Sequence, residues 1–114
     1  MPHLTTHVLD TASGKPAAGV RVVLRAAGTA AVIAEAVTNA DGRLDKPLLD
    51  GALFRPGQYE IAFHVGDYFR SSGATLADPA FLDIVPVRFA VAAGRDYHLP
   101  LLISPYGYST YRGS

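Results

Sequence analysis

Cysteine is missing from the 114-residue chain. Its absence excludes disulfides, thiolate metal sites and a cysteine nucleophile, so stability has to come from packing or from contacts between subunits. Net charge is missing too, because ten Lys plus Arg balance ten Asp plus Glu. A chain without a long-range field does not gather polyanions, and neither nucleic acid nor an anionic membrane is expected as a partner. The same balance removes repulsion between copies and leaves self-association open. No stretch approaches the roughly 20 apolar residues that span a bilayer. Met1, Pro2, His3 and Leu4 lack a basic segment followed by an apolar run, so a soluble, unexported, most simply cytoplasmic chain is expected. G-x-G-x-x-G, P-loop and G-x-S-x-G patterns do not occur, which removes nucleotide cofactors and a serine elbow. No cofactor of any kind is expected.

Enough apolar residues are present for a core: 49% are hydrophobic and 18% charged, a balance that folds and does not read as disorder. The length suits one domain over residues 1–114. Leu4 to Leu9 reads as a strand running into turn formers at Asp10, Ser13, Gly14 and Pro16. Val20–Leu24 and Val32–Thr38 read as two more strands, and Asn39, Ala40, Asp41 and Gly42 as a turn. Residues 44–58 read as loop with one short strand around Leu48 to Leu53. Tyr59, Ile61 and Phe63 alternate with Glu60, Ala62 and His64, the mark of a strand with one buried face. Gly66–Ser72 suits a brief helix ended by Gly73. Ile84–Val91 follows as a strand in which Pro86 favours an edge or a strand start over a central position, and Tyr97–Ile103 as another. Seven or eight short strands with almost no helix predict a β-sandwich of two packed antiparallel sheets.

For chemistry near neutrality the four histidines come first, since imidazole serves as base and acid. His3 and His7 are four apart and share a face on a strand. The pair could ligate a metal, but no third ligand with recognisable spacing follows, and no metal site is expected. A strand histidine is otherwise a surface or hydrogen-bonded structural residue, and Arg43 after the turn is by default solvated. Its alternative use is a planar guanidinium that grips a carbonyl, urea or carboxylate with parallel hydrogen bonds. Ser104 to Tyr111 places three tyrosines where a frayed end would be polar, which suggests docking against protein.

These residues resemble the 5-hydroxyisourate hydrolases, also called transthyretin-like or transthyretin-related proteins. The resemblance runs through LTTHVLDTASGKP at Leu4–Pro16, TNADGR at Thr38–Arg43, GQYEIAF at Gly57–Phe63, FLDIVPVRF at Phe81–Phe89 and YHLPLLISPYGYSTYRGS at Tyr97–Ser114. It implies a transthyretin-like all-β sandwich of two four-stranded antiparallel sheets with one short helix, assembled as a homotetramer with sites at the dimer–dimer interface. Motif by motif, it implies catalytic roles for His7, Arg43, His98 and Ser114, and substrate contacts from His7, Arg43, Tyr111, Arg112 and Gly113. His3 and His64 fall outside these motifs. The implied reaction is hydrolysis of the N1–C6 bond of 5-hydroxyisourate, giving 2-oxo-4-hydroxy-4-carboxy-5-ureidoimidazoline. Transthyretin itself, a small-ligand carrier of the same fold, is the alternative, and the tail Tyr111, Arg112, Gly113, Ser114 weighs against it because a carrier has no evident use for it.

Overall fold

The structure, a computed structural model of the chain, describes residues 2–114. Met1, part of the N-terminal stretch read above for an export signal, lies outside the described residues. In chain order the strands are β1 (His3–Asp10), β2 (Lys15–Pro16), β3 (Arg21–Ala26), β4 (Val32–Val37), β5 (Leu49–Asp50) and β6 (Gly57–His64). The helix α1 (Val65–Ser72) follows, then β7 (Ile84–Val91), β8 (Tyr97–Ser104) and β9 (Gly107–Thr110). Alternation is strict in β1, where every second residue from Leu4 to Asp10 is buried while His3, Thr5, His7 and Leu9 stay half-exposed.

One sheet has the order β4-β3-β6-β7 and is antiparallel throughout. The other runs β2-β1-β8-β9, with β5 also paired to β1. The two sheets pack through one core that includes Leu4, Val8, Leu101 and Ile103 from the second sheet and Val22, Leu24, Ile61, Phe63, Val85 and Val87 from the first. Burying each such side chain contributes about 1.5–3 kcal/mol. Pro86 lies in β7 at the edge of its sheet, as expected from its missing N–H. Gly73 ends α1 in the left-handed region at φ 83°.

The two-sheet frame with one short helix is the expected one, and the second sheet differs from the expectation in detail. It has five strands, two of them two residues long, and β1 and β8 run parallel. Residue alternation reports which face is buried, not which way a neighbour runs, and strands this far apart in the chain are free of the antiparallel constraint a hairpin imposes. Residues 44–56 are nearly all irregular, holding β5 and a single 3-10 turn at Gly51–Leu53, and β6 starts at Gly57, inside the stretch expected to be loop.

Candidate active site

Parallel pairing sets Thr5 opposite His98 and His7 opposite Pro100. The pair is held from the core side by the neighbouring threonine, since Thr6 Oγ1 donates to the Leu99 carbonyl at 2.7 Å in a buried hydrogen bond. On the outward face Thr5 Oγ1 and His98 Nδ1 lie 2.8 Å apart, a hydrogen bond in which the ring's tautomer decides the donor. The rings of His7 and His98 face each other obliquely, with centroids 6.4 Å apart.

Arg43 reaches this face along the opposite edge of β1, through a single antiparallel bridge to His7. The TNADGR turn delivers it. Asn39 Oδ1 accepts from the backbone N–H groups of Asp41 at 2.9 Å and Arg43 at 3.2 Å, and the Asn39 N–H donates to the Arg43 carbonyl at 2.7 Å. Such side-chain bonding to nearby backbone is what asparagine brings to a turn. Gly42 has φ 73°, and a Cβ there would collide with the Val8 carbonyl oxygen, so only glycine brings the turn close enough for Val8 N–H to donate to the Gly42 carbonyl at 2.8 Å.

The tail comes from the other side. β8 and β9 form a hairpin in which Leu101 faces Thr110, and Thr110 Oγ1 donates to the Pro100 carbonyl at 2.7 Å. After the unpaired Tyr111 and Arg112 the same register resumes, with Gly113 bridging His98 and its N–H donating to the His98 carbonyl at 2.8 Å. A Cβ on Gly113 would sit 2.8 Å from His98 Cδ2, so the Cδ2 side of the imidazole packs against that glycine.

His98 thus stands between two hollows. Arg43, Gly113 and Ser114 line a cleft of about 420 Å³ with Thr5 and His98, and its rim carries His3, Arg95 and Asp96. Tyr111 and Arg112 line an apolar pocket of about 170 Å³ with Val87, Phe89 and the other side of His98. Burial lowers the pKa of His98 below its ordinary value, and the neighbouring charges of Arg43 and then His7 lower it further. The ring is therefore neutral at pH 7 and able to take up a proton.

A sequence model of the HIUase/Transthyretin family matches residues 4–113. The chain belongs to this family. It is 60% identical over 114 residues to 5-hydroxyisourate hydrolase 2 of Rhizobium meliloti, covering 97% of this chain and 95% of the relative. It is 62% identical over 113 residues to 5-hydroxyisourate hydrolase of Mesorhizobium japonicum, covering 97% and 91%. Among solved structures, (S)-allantoin synthase superposes with a TM-score of 0.92 at 45% identity over 99% of this chain, which spans only 44% of that longer one. Klebsiella pneumoniae 5-hydroxyisourate hydrolase gives 0.82 at 36% identity, covering 100% and 94%. Transthyretin from Sparus aurata gives 0.85 at 30% identity, covering 99% and 97%. Hydrolase and transthyretin thus share one frame, and the HIUase/Transthyretin fold by itself does not separate them.

Of the residues singled out in the sequence, His7, Arg43, His98, Gly113 and Ser114 come together on one face, while Tyr111 and Arg112 belong to the adjoining pocket. His64 lies apart, at the β6–α1 junction. His3 reaches the cleft rim, where its backbone N–H donates to Asp96 Oδ1 at 3.1 Å. Thr5 is the contact that sequence reasoning missed. It lies in the LTTHVLDTASGKP block, where a threonine in a strand reads only as a β-former.

Proposed function

We propose that this chain is a 5-hydroxyisourate hydrolase, a single domain over residues 1–114 that opens the N1–C6 bond of its substrate without cofactor or metal. The observation that carries the reading is the half-buried His98 imidazole set beside the His7 ring, with Arg43 lining the same cleft as His98. The names of its close relatives point the same way.

In this reading His98, with His7 beside it, takes a proton from water as the water oxygen bonds to C6. The carbonyl electron pair moves onto oxygen, and Arg43 stabilises the oxyanion, the contribution that is usually largest. Collapse of the adduct breaks the N1–C6 bond, the proton held on the imidazole goes to N1, and C6 stays attached to its neighbouring ring carbon as a carboxyl group. Ser114 positions the water or a histidine, Gly113 presents its backbone to the substrate where the tail packs on His98, and Tyr111 and Arg112 contact the ring system from the adjoining pocket.

The site lies on the face of the sheet turned away from the core, so it has a floor and few walls. A second copy laid over that face completes it, which supports a homotetramer with sites at the dimer–dimer interface. Tyr106, Tyr108 and Tyr111, all exposed on the lone chain, would find cover in such an assembly. Among the described residues no helix is long and apolar enough to cross a membrane, and balanced charge argues against nucleic acid or membrane surfaces as partners; a cytoplasmic location fits both. The test is a coupled assay in which urate oxidase generates 5-hydroxyisourate. The expected result is decay of its absorbance in proportion to added protein; decay indifferent to the protein overturns the reading.

A further inference from the structure

Histidine has two nitrogens, and a base must offer an unprotonated one to the reacting water. At His98 the Nδ1 position is taken by Thr5 Oγ1 at 2.8 Å. The Cδ2 side of the ring is taken by Gly113, where there is no room even for a methyl group. That leaves Nε2 as the nitrogen able to exchange a proton with the cleft. If Thr5 donated its hydroxyl proton to Nδ1, Nε2 would already carry the ring's hydrogen and the imidazole could accept nothing from water there. If Nδ1–H donates to Thr5, Nε2 is free, and the same hydrogen bond persists unchanged when Nε2 becomes protonated.

We propose that Thr5 is a positioning residue that holds His98 as the Nδ1–H tautomer and so makes Nε2 the atom that takes the proton from water; this rests on the reading of His98 as the base. Thr5 plays the orienting part that a buried carboxylate plays in a Ser-His-Asp triad. The difference is charge. The charged and titratable groups around the ring are His7 and His3 on β1, Arg43 from the turn, Arg95 and Asp96 ahead of β8, Tyr97 on β8, Ser114 in the tail, and Arg88, Tyr111 and Arg112 across the apolar pocket. A carboxylate in place of the hydroxyl would pair with the ring and with Arg43 and raise the basicity of His98; the hydroxyl orients the ring while leaving it neutral. Threonine suits the task better than a longer polar side chain because branching at Cβ restricts its χ1. Thr6, bonded to the Leu99 carbonyl beneath, fixes the strand pair on which the alignment depends.

The experiment uses the full chain. Nitrogen-15 NMR of histidine-labelled protein at neutral pH should show His98 with Nδ1 protonated and Nε2 bare; a protonated Nε2 overturns the proposal without any variant. In kinetics, Thr5→Val should lower kcat about 10- to 100-fold with KM within about threefold, the scale seen when an orienting partner of a histidine is lost. Thr5→Ser should restore most of it, and Thr5→Asp should move the acid limb of kcat/KM to higher pH. Wild-type kcat and an unchanged pH profile in Thr5→Val overturn the proposal while leaving the hydrolase reading intact. Wild-type protein inert towards 5-hydroxyisourate overturns the hydrolase reading, and the NMR tautomer then still tests the Thr5–His98 arrangement. Should Thr5→Val fail to assemble, the wild-type tautomer and the Thr5→Ser and Thr5→Asp profiles decide.

Discussion

At the scale of the single side chain, His98 is driven towards its neutral form by burial, by Arg43 and by His7, in that order. Two consequences follow from the sign of that shift. Neutral imidazole persists below its ordinary pKa of about 6.5, so the acid limb of kcat/KM is expected below that value, and a limb well above it would place the base elsewhere. In the interval between the lowered folded pKa and the ordinary one, the unfolded chain binds more protons than the folded chain, so this group's contribution to stability is lost as pH falls through that interval. Thermal melts from pH 7 down to pH 5 should show a falling midpoint, and His98→Asn should flatten part of the slope. The same variant should lose about 10²–10⁴-fold in turnover, the usual share of a positioned base, with assembly unchanged by light scattering. Retained turnover would remove His98 from the role.

At the scale of elements, the turn that carries Arg43 is the most sensitive piece. Gly42→Ala needs a left-handed backbone that alanine resists and a Cβ where the Val8 carbonyl oxygen already sits. A loss of about 1–3 kcal/mol or more is expected from such strain, read by denaturant melts, together with a fall in activity as Arg43 moves away from His7. Native stability in this variant would mean that the turn yields easily and does not fix Arg43. Glycine, asparagine and aspartate in TNADGR were legible as a turn, and the alternation of Tyr59, Ile61 and Phe63 as a half-buried strand, because both signals lie within a few residues. The parallel pairing of β1 with β8 was not legible, since period-two alternation carries no information on strand direction. Thr5 was hidden for the same reason: its partner is 93 residues away and appears only once the register is set. The return of the tail to His98 was anticipated from resemblance alone; its physical cause is a hairpin register that skips Tyr111 and Arg112 and resumes at Gly113, which no local sequence signal carries.

At the scale of the whole molecule, the lone chain leaves its reactive face open to water, and the proposed homotetramer closes it. Sedimentation should give a mass four times the 12.1 kDa chain, about 48 kDa. A monomer that turns over 5-hydroxyisourate at full rate would show that a second copy is not needed. Removing residues 112–114 takes away Gly113 and Ser114, which line the cleft, but none of the buried core. The truncated chain is expected to melt near the native temperature and to lose at least about 100-fold in turnover, and near-normal turnover in a folded truncation would reduce the tail to a bystander.

The separation of 93 residues between Thr5 and His98 also has a meaning in time. A ribosome adding about 5–20 residues per second needs roughly 5 to 20 seconds to make β8 after β1 has been made. Through that interval β1 has its Leu4, Thr6 and Val8 stripe and one row of backbone hydrogen-bonding groups without their β8 partner. The exposure is that of an unpaired edge strand in a nascent chain. Synonymous changes that slow synthesis between β1 and β8 should therefore lower soluble yield, whereas slowing after β8 should not.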